Sequence, residues 1–211
     1  HPPLSTISGR RILASGSNDR TIRLWDTNLA DEIARLEFPH ERGSQVYLLA
    51  ALLDGSLISA HTGQIVRRWD VQRRVEIDRL KLSSIHAVLA DGRLASVEDR
   101  IIRLNDFSRP GEVTELAGHT GAIRGLVELP GGLLASGSDD GTIRLWDRRR
   151  GVEVSRIECQ GSVHNLTILP GGNLASCSPR SIRDRSTDIV SHPDTIYVWD
   201  PKHCVEVARL E

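Results

Sequence analysis

Three side chains in the second half of the chain are of the types that hydrolases use for nucleophilic catalysis: His119, Ser136 and Asp140. A serine hydroxyl activated by an imidazole, which a carboxylate orients, can attack an acyl group. A serine of this kind on an elbow needs Gly-x-Ser-x-Gly followed by a helix. The residues after Ser136 alternate in polarity instead of showing helical periodicity. The sequence therefore disfavours a hydrolase and predicts no catalytic residues.

Other site chemistries find little support. The cysteines Cys159, Cys177 and Cys204 show no Cys-x-x-Cys spacing, so neither a zinc site nor a disulfide framework is predicted. The double glycine Gly131-Gly132 has no lysine after it, which a phosphate-binding loop would need. We therefore expect no metal and no cofactor.

Composition narrows the class of partner. The chain has 211 residues, 39% hydrophobic residues and a formal net charge of −1. A nucleic-acid surface usually shows a strongly basic balance, and a membrane-spanning helix needs roughly 18 or more consecutive apolar residues. Neither feature is present, and residues 1–10 lack the pattern of a signal peptide. We expect a cytoplasmic protein that binds neither nucleic acid nor membranes.

An internal repeat of about 40 residues is the main signal in the sequence. A Leu-Ala-Ser-like triplet occurs five times, and Trp-Asp follows it in four of the five copies. The tryptophans of the chain all lie at this one phase. The triplets and their Trp-Asp counterparts are 13–15 with 25–26, 57–59 with 69–70, 94–96 with 105–106 (Asn-Asp), 134–136 with 146–147, and 174–176 with 199–200.

Each repeat contains four short segments that read as strands separated by Gly or Asp-Gly turns, which are hairpin signals. The fourth segment carries charges, such as Glu76 and Arg79, that we expect to protect an exposed sheet edge. Four strands at this period predict one propeller blade, whose faces are covered by neighbouring blades.

The segment LASGSDDGTIRLWD (134–147), preceded by Gly118-His119, resembles the WD-repeat β-propeller family, as does LASGSNDRTIRLWD (13–26). The resemblance extends over essentially the whole chain, with degenerate second, third and fifth copies. It implies an all-β fold, a single β-propeller domain over residues 1–211 built of five four-stranded antiparallel blades. The predicted blades span residues 4–36, 45–80, 84–116, 121–157 and 162–210.

Five repeats leave two arrangements open. The blades could close into a small ring, or they could form part of a larger ring of about seven blades, which the resemblance favours. In an open ring, the end blades would expose apolar faces and could self-associate.

The resemblance also implies a structural hydrogen-bond network within a blade. A His before the first strand, a Ser on the second, an Asp in the next turn and the Trp on the third form this network. Only the fourth repeat has the whole set, His119, Ser136, Asp140 and Trp146, with Ser138 open as an alternative serine. The other repeats retain parts of it: Ser15, Asp19 and Trp25 in the first, His40, Ser59 and Trp69 in the second, Asp99 in the third, and Trp199 with Asp194 in the fifth.

Partner binding is expected at the rim that the resemblance assigns to the loops before the first strands. The residues predicted to emerge there are Tyr47, Arg124 and His164, and Tyr and Arg are frequent binding anchors. The fifth repeat also has an insertion, 179–194, whose Arg180, Arg183 and Arg185 could contact an acidic or phosphorylated segment. The alternatives are solvated rim residues and a mobile surface insertion.

The predicted function is a non-catalytic interaction scaffold that binds a protein or peptide. The alternative is a sensor domain of a larger bacterial signalling enzyme of the kinase, protease-like or nucleotide-binding type, because similar repeats are attached to such domains.

Overall fold

The computed structural model describes residues 4–7, 12–38, 45–82, 85–178 and 195–210, and only the backbone of 4–7 and of Ser178. All twenty regular elements in this part of the chain are strands, and they form five four-stranded sheets. Within the described residues, no helix is long and apolar enough to cross a membrane. The predicted all-β fold with five four-stranded blades is confirmed.

Each sheet uses four consecutive strands in chain order, which we label A to D. The first two sheets are β1 (Leu4–Ile7), β2 (Ile12–Gly16), β3 (Thr21–Asp26), β4 (Asp31–Glu37), and β5 (Val46–Ala51), β6 (Leu57–His61), β7 (Ile65–Asp70), β8 (Val75–Lys81). The third is β9 (Ala87–Val88), β10 (Leu94–Glu98), β11 (Ile101–Asn105), β12 (Val113–Ala117). The last two are β13 (Ile123–Glu128), β14 (Leu133–Ser138), β15 (Thr142–Asp147), β16 (Val152–Glu158), and β17 (His164–Ile168), β18 (Leu174–Ser178), β19 (Thr195–Asp200), β20 (Val205–Leu210).

The turns between strands A and B of sheets 4 and 5 follow from their Pro-Gly sequence. In sheet 4, the Gly132 N–H donates to the Leu129 carbonyl at 3.1 Å, which places Pro130 and Gly131 at the centre of the turn. Gly131 has φ of 88°, the left-handed value that a type II turn requires at its third residue. These glycines are therefore turn residues between two strands and not a phosphate-binding loop.

The aspartate of each Trp-Asp pair shapes the turn between strands C and D. Asp147 Oδ1 accepts hydrogen bonds from the backbone N–H groups of Arg149 at 2.9 Å and Arg150 at 3.1 Å. Asp26, Asp70 and Asp200 do the same in their own sheets. This recurring carboxylate closes the turn by satisfying backbone donors, which is a local structural role.

The chain divides into two compact units, His1–Ser96 with Asn105–Glu112, and Val97–Leu104 with Val113–Glu211. The first unit holds two apolar clusters. One cluster includes Leu57 and Trp69, and the other includes Ile58 and Leu94. The core of the second unit contains Ile143, Leu145, Val163, Leu174 and Trp199. The single-domain assignment for residues 1–211 stays a prediction.

Two glycines of sheet 4 allow sheet 5 to approach closely. A Cβ at Gly125 would lie 2.7 Å from the backbone nitrogen of Leu166, and one at Gly137 would lie 2.5 Å from Cγ1 of Val163. Neither glycine has a positive φ, so the constraint at both positions is steric. Small residues here let strands β13 and β14 pack directly against β17.

Candidate functional site

The four residues of the predicted network in sheet 4 form a chain in which each side chain lies within hydrogen-bond distance of the next. His119 precedes β13, Ser136 lies on β14, Asp140 is in the following turn, and Trp146 lies on β15. Nε1 of Trp146 is 2.8 Å from the Ser136 hydroxyl, which is 2.7 Å from Nε2 of His119. Nδ1 of His119 is 2.8 Å from Oδ2 of Asp140. A continuous chain of hydrogen bonds therefore links the loop before strand A to strand C.

The protonation of this chain follows from its environment. Burial lowers the pKa of His119, although the Asp140 carboxylate opposes that effect. A neutral imidazole can donate from Nδ1 to Asp140 and accept at Nε2 from the Ser136 hydroxyl. Ser136 then accepts the Trp146 N–H, so every group in the chain has a suitable partner.

Asp140 is ionised in this arrangement. Burial raises the pKa of its carboxyl group, but hydrogen bonds from the Thr142 hydroxyl, the Thr120 N–H and His119 outweigh burial and hold the pKa well below its usual range. The Thr142 hydroxyl is 2.7 Å from Oδ1, and the Thr120 nitrogen is 2.9 Å from Oδ2. The carboxylate therefore anchors one end of the chain.

Ser136, and not Ser138, is the serine in contact with Trp146. The Ser138 hydroxyl accepts the backbone N–H of Asp140 at 3.1 Å and so caps the turn. The two serines have different partners although both are fully buried. The alternative that the sequence left open is resolved by these contacts.

His119, Ser136 and Asp140 have the hydrogen-bond distances of a hydrolase triad, but they lack access to a substrate. Ser136 has a relative exposure of 0%, and the side chain of His119 is 0% exposed. A nucleophile must reach the carbonyl carbon it attacks, and here Trp146 also donates to the same hydroxyl oxygen. The geometry is suited to fixing strand positions and not to acyl transfer.

The first and fifth sheets keep the tryptophan–serine contact. Trp25 donates to Ser15 at 2.8 Å, and Trp199 donates to Ser176 at 2.8 Å. Asp19 accepts from the hydroxyl of Thr21 at 2.6 Å, and this contact lowers the pKa of Asp19 to about 2. Asp194 lies outside the described residues.

In the second sheet, the histidine that contacts the serine lies on strand B and not in the loop before strand A. Trp69 donates to Ser59 at 2.8 Å, and the Ser59 hydroxyl is 2.8 Å from Nε2 of His61. Phe38 packs edge-on against His61, with ring centroids 4.5 Å apart. Sequence reasoning considered His40, which lies outside the described residues, and missed His61. The available signal was spacing, since residues two apart on a strand share a face.

The third sheet has no tryptophan at the corresponding position of strand C. Asn105 occupies the position, and its Nδ2 atom is buried without a hydrogen-bond partner among the described residues. The asparagine thus does not replace the tryptophan–serine contact.

Glutamates of the D strands pair with arginines of the C strands, which sequence reasoning missed. Arg144 is 2.5 Å from Glu153, and Arg67 is 2.5 Å from Glu76. Both arginines are largely buried. Charged residues of the D strands, such as Glu76, were expected to protect a sheet edge, but Glu76 and Glu153 also compensate buried positive charge between adjacent strands.

The predicted rim residues lie at the ends of the sheets that carry the loops before strand A and the turns between strands B and C. We call these ends the top edge, and the opposite ends the bottom edge. Tyr47 is 42% exposed, and its hydroxyl accepts the Ile85 N–H at 3.1 Å. Tyr47 and Arg124 are each the extra residue of a β-bulge in strand A. Bulges redirect a side chain away from the regular ladder, which accounts for their exposure.

Asp139 connects two of the predicted rim residues. Nε and Nη2 of Arg124 lie 2.9 Å and 2.7 Å from Oδ2 of Asp139. Nε2 of His164 lies 3.2 Å from Oδ1 of the same carboxylate. The contact with Arg124 lowers the pKa of Asp139. In sheet 5 the bulge falls at Asn165, one residue after His164, so Asn165 is exposed beside the cluster.

The insertion residues Arg180, Arg183 and Arg185 lie outside the described residues, and their role stays a prediction. The three cysteines are free, and burial raises the pKa of Cys159 to about 12, so this thiol is protonated. No group of three or more His, Cys, Asp and Glu side chains in the described part of the chain could hold a metal ion.

Comparison with known families supports the repeat assignment. Residues 4–26 and 111–147 match the family described as WD domain, G-beta repeat. The chain is 30% identical over 169 residues to Mitochondrial division protein 1 of Candida glabrata, covering 75% of this chain and 21% of that protein. It is 27% identical over 213 residues to the Serine-threonine kinase receptor-associated protein of Bos taurus, covering 92% and 55%.

Two further similarities are to a tRNA-methyltransferase subunit and to a chain of a solved complex. A tRNA (guanine-N(7)-)-methyltransferase non-catalytic subunit of Xenopus laevis is 32% identical over 120 residues, covering 52% of this chain and 30% of that protein. A chain in the crystal structure of a mitotic checkpoint complex aligns with a TM-score of 0.68 at 18% identity, covering 99% of this chain and 62% of that one. The chain thus spans between about a fifth and about half of the length of these curated relatives.

Proposed function

Because this chain belongs to the WD40-repeat β-propeller family, we propose that it is a non-catalytic scaffold that binds a protein or peptide at the top edge of its sheets. Proteins of this family mediate protein–protein interactions. One of the similar proteins is named as a non-catalytic subunit, and a structurally similar chain belongs to a multi-protein complex. The buried position of Ser136 supports the absence of hydrolase chemistry.

The contact of Arg124, Asp139 and His164 is the observation that carries the proposed binding site. The side chains of Arg124 and Asp139 are 51% and 30% exposed, and that of His164 is 35% exposed. A shared carboxylate holds the arginine and histidine in one arrangement before a partner arrives. Preorganised side chains lose less conformational entropy on binding, which favours affinity.

The chemistry of this cluster suits a polar peptide segment. The guanidinium of Arg124 keeps donors that point away from Asp139, and these can bind a carboxylate or a backbone carbonyl. Exposed Tyr47, in the other compact unit, is a second candidate anchor, and the arginines of 179–194 are a third.

The experiment is a charge reversal compared with a matched control. We expect Arg124→Glu to reduce capture of specific proteins from a cell lysate, measured by quantitative mass spectrometry against wild type. Arg73→Glu is the control, because Arg73 is an exposed arginine in a turn of the bottom edge. Equal capture by the wild type and Arg124→Glu would contradict binding at this edge.

The alternative proposal is a sensor domain of a larger signalling enzyme, and it rests on the resemblance of these repeats to repeats attached to kinase, protease-like or nucleotide-binding domains. The complete reading frame distinguishes the two. Kinase, protease-like or nucleotide-binding motifs in the same polypeptide would favour the sensor domain, and their absence would favour a free-standing scaffold.

A further inference from the structure

In sheets 2 and 3, the apolar residue that follows the turn-closing aspartate fills space at the bottom edge. Val71 is 7% exposed and belongs to an apolar cluster with Leu57, while Phe107 is 5% exposed and packs in a cluster with Leu52. In sheet 5 this position is Pro201, whose ring reaches less far than a phenylalanine side chain.

A cavity of about 590 Å³ is present beside Pro201, between sheets 4 and 5. Its walls include Leu129 and Leu145, which are 6% and 2% exposed. All of the lining residues lie within the second compact unit. The volume falls in the range of about 300–1,000 Å³ that is typical of small-molecule sites, which are mainly apolar with few polar groups.

Polar groups in the lining are few. The Ser155 hydroxyl lies 2.8 Å from the Cys204 thiol, which links the two sheets across the cavity. Lys202 also lines the cavity, and no ion pair in the described part of the chain includes its ammonium group. A cation without a partner beside apolar walls complements a ligand that has one negative charge and an apolar body.

We propose that this cavity binds a small amphiphilic carboxylic acid, with its apolar body against Leu129, Leu145 and Pro201 and its carboxylate facing Lys202. In this proposal the apolar body of the ligand occupies the space beside Pro201. The equivalent space in the first unit is filled by the side chain of Phe107. The site lies on the bottom edge, and it does not depend on the proposed partner surface at the top edge.

The test uses decanoate, below its micelle concentration, as the probe and isothermal titration calorimetry as the measurement. We expect saturable binding of one decanoate per chain. Lys202→Gln should weaken the affinity about tenfold, because it removes a charged hydrogen-bond donor. Lys81→Gln is the matched control, because Lys81 is the other lysine of the chain and is exposed on β8.

Two variants close the cavity from opposite sides. Pro201→Phe introduces the side chain found in sheet 3, and Ser155→Leu adds apolar volume from sheet 4. We expect each folded variant, checked by circular dichroism, to lose saturable binding. If Pro201→Phe does not fold, Ser155→Leu supplies the result.

Three results would overturn the proposal. These are no saturable decanoate binding by the wild type, binding of decylammonium as tight as that of decanoate, and wild-type affinity in the folded cavity-filling variants.

Discussion

The Ser136 hydroxyl lies 2.7 Å from Nε2 of His119, yet neither side chain is accessible to solvent. This pair has the distance of a nucleophile and its base in a hydrolase. Because the same hydroxyl also accepts the Trp146 N–H, the pair joins strands B and C to the loop before strand A. The inferred role is therefore to hold one arrangement of sheet 4.

Replacing tryptophans that differ in burial tests this role, because the expected losses of folding stability differ. Trp146→Phe should lower the free energy of unfolding by about 1–3 kcal/mol, because it removes a buried donor and leaves unfilled volume. Trp25→Phe should cost less, because Trp25 is only partly buried and its Ser15 partner lies in a part-buried contact. Urea unfolding of both variants measures the difference. Equal losses in the two variants would contradict the larger contribution that full burial gives to the contact between Trp146 and Ser136.

His119 should make stability depend on pH. Its pKa in the folded chain lies below the value of about 6.5 expected when unfolded, so the unfolded chain binds a proton that the folded chain does not. Stability should then fall as the pH decreases through about 6.5 and level off below the folded pKa. The pKa of His86 is lowered by burial in the same direction, so His119→Gln should remove only part of the slope.

Unfolding free energies measured between pH 7.5 and 5 test this prediction. An unchanged slope in His119→Gln would show that the imidazole is not buried in its neutral form.

Gly125 tests the close approach of sheets 4 and 5. Gly125→Ala should destabilise the chain by about 1–3 kcal/mol, because the new Cβ would lie 2.7 Å from the backbone of Leu166. Gly171→Ala is the control, since Gly171 has φ of 95° and open space where a Cβ would lie, so only backbone strain applies. Thermal unfolding compares the two variants. A harmless Gly125→Ala would argue that the strands can separate at low cost.

The repeat made the fold predictable because the same local rules act five times. The pair Trp146-Asp147 has counterparts in three other repeats, where the tryptophan contacts a serine on the neighbouring strand and the aspartate closes a turn. His61 was not predicted, because it reaches Ser59 from the same strand and breaks the order of the other repeats. Asp139 was also missed, because its contacts with Arg124 and His164 depend on two sheets lying side by side. These contacts also depend on β-bulges, which the residue spacing does not predict.

The cavity beside Pro201 could not be predicted from the sequence either. The cavity is present because the small ring of Pro201 leaves space between two sheets. The size of that space depends on the positions of Leu129 and Leu145 on one sheet and of Cys204 on the other. Sequence patterns report which residues are present, whereas unfilled volume depends on packing.

The free energy of unfolding of Ser136→Ala tests the central claim most directly. A serine that holds the sheet together should contribute to folding stability. We therefore expect a loss of about 1–3 kcal/mol in urea unfolding at pH 7.5, because Trp146 and His119 would keep buried polar groups without their partner. Unchanged or increased stability would contradict the claim, since that is the behaviour of a serine kept for a function other than folding.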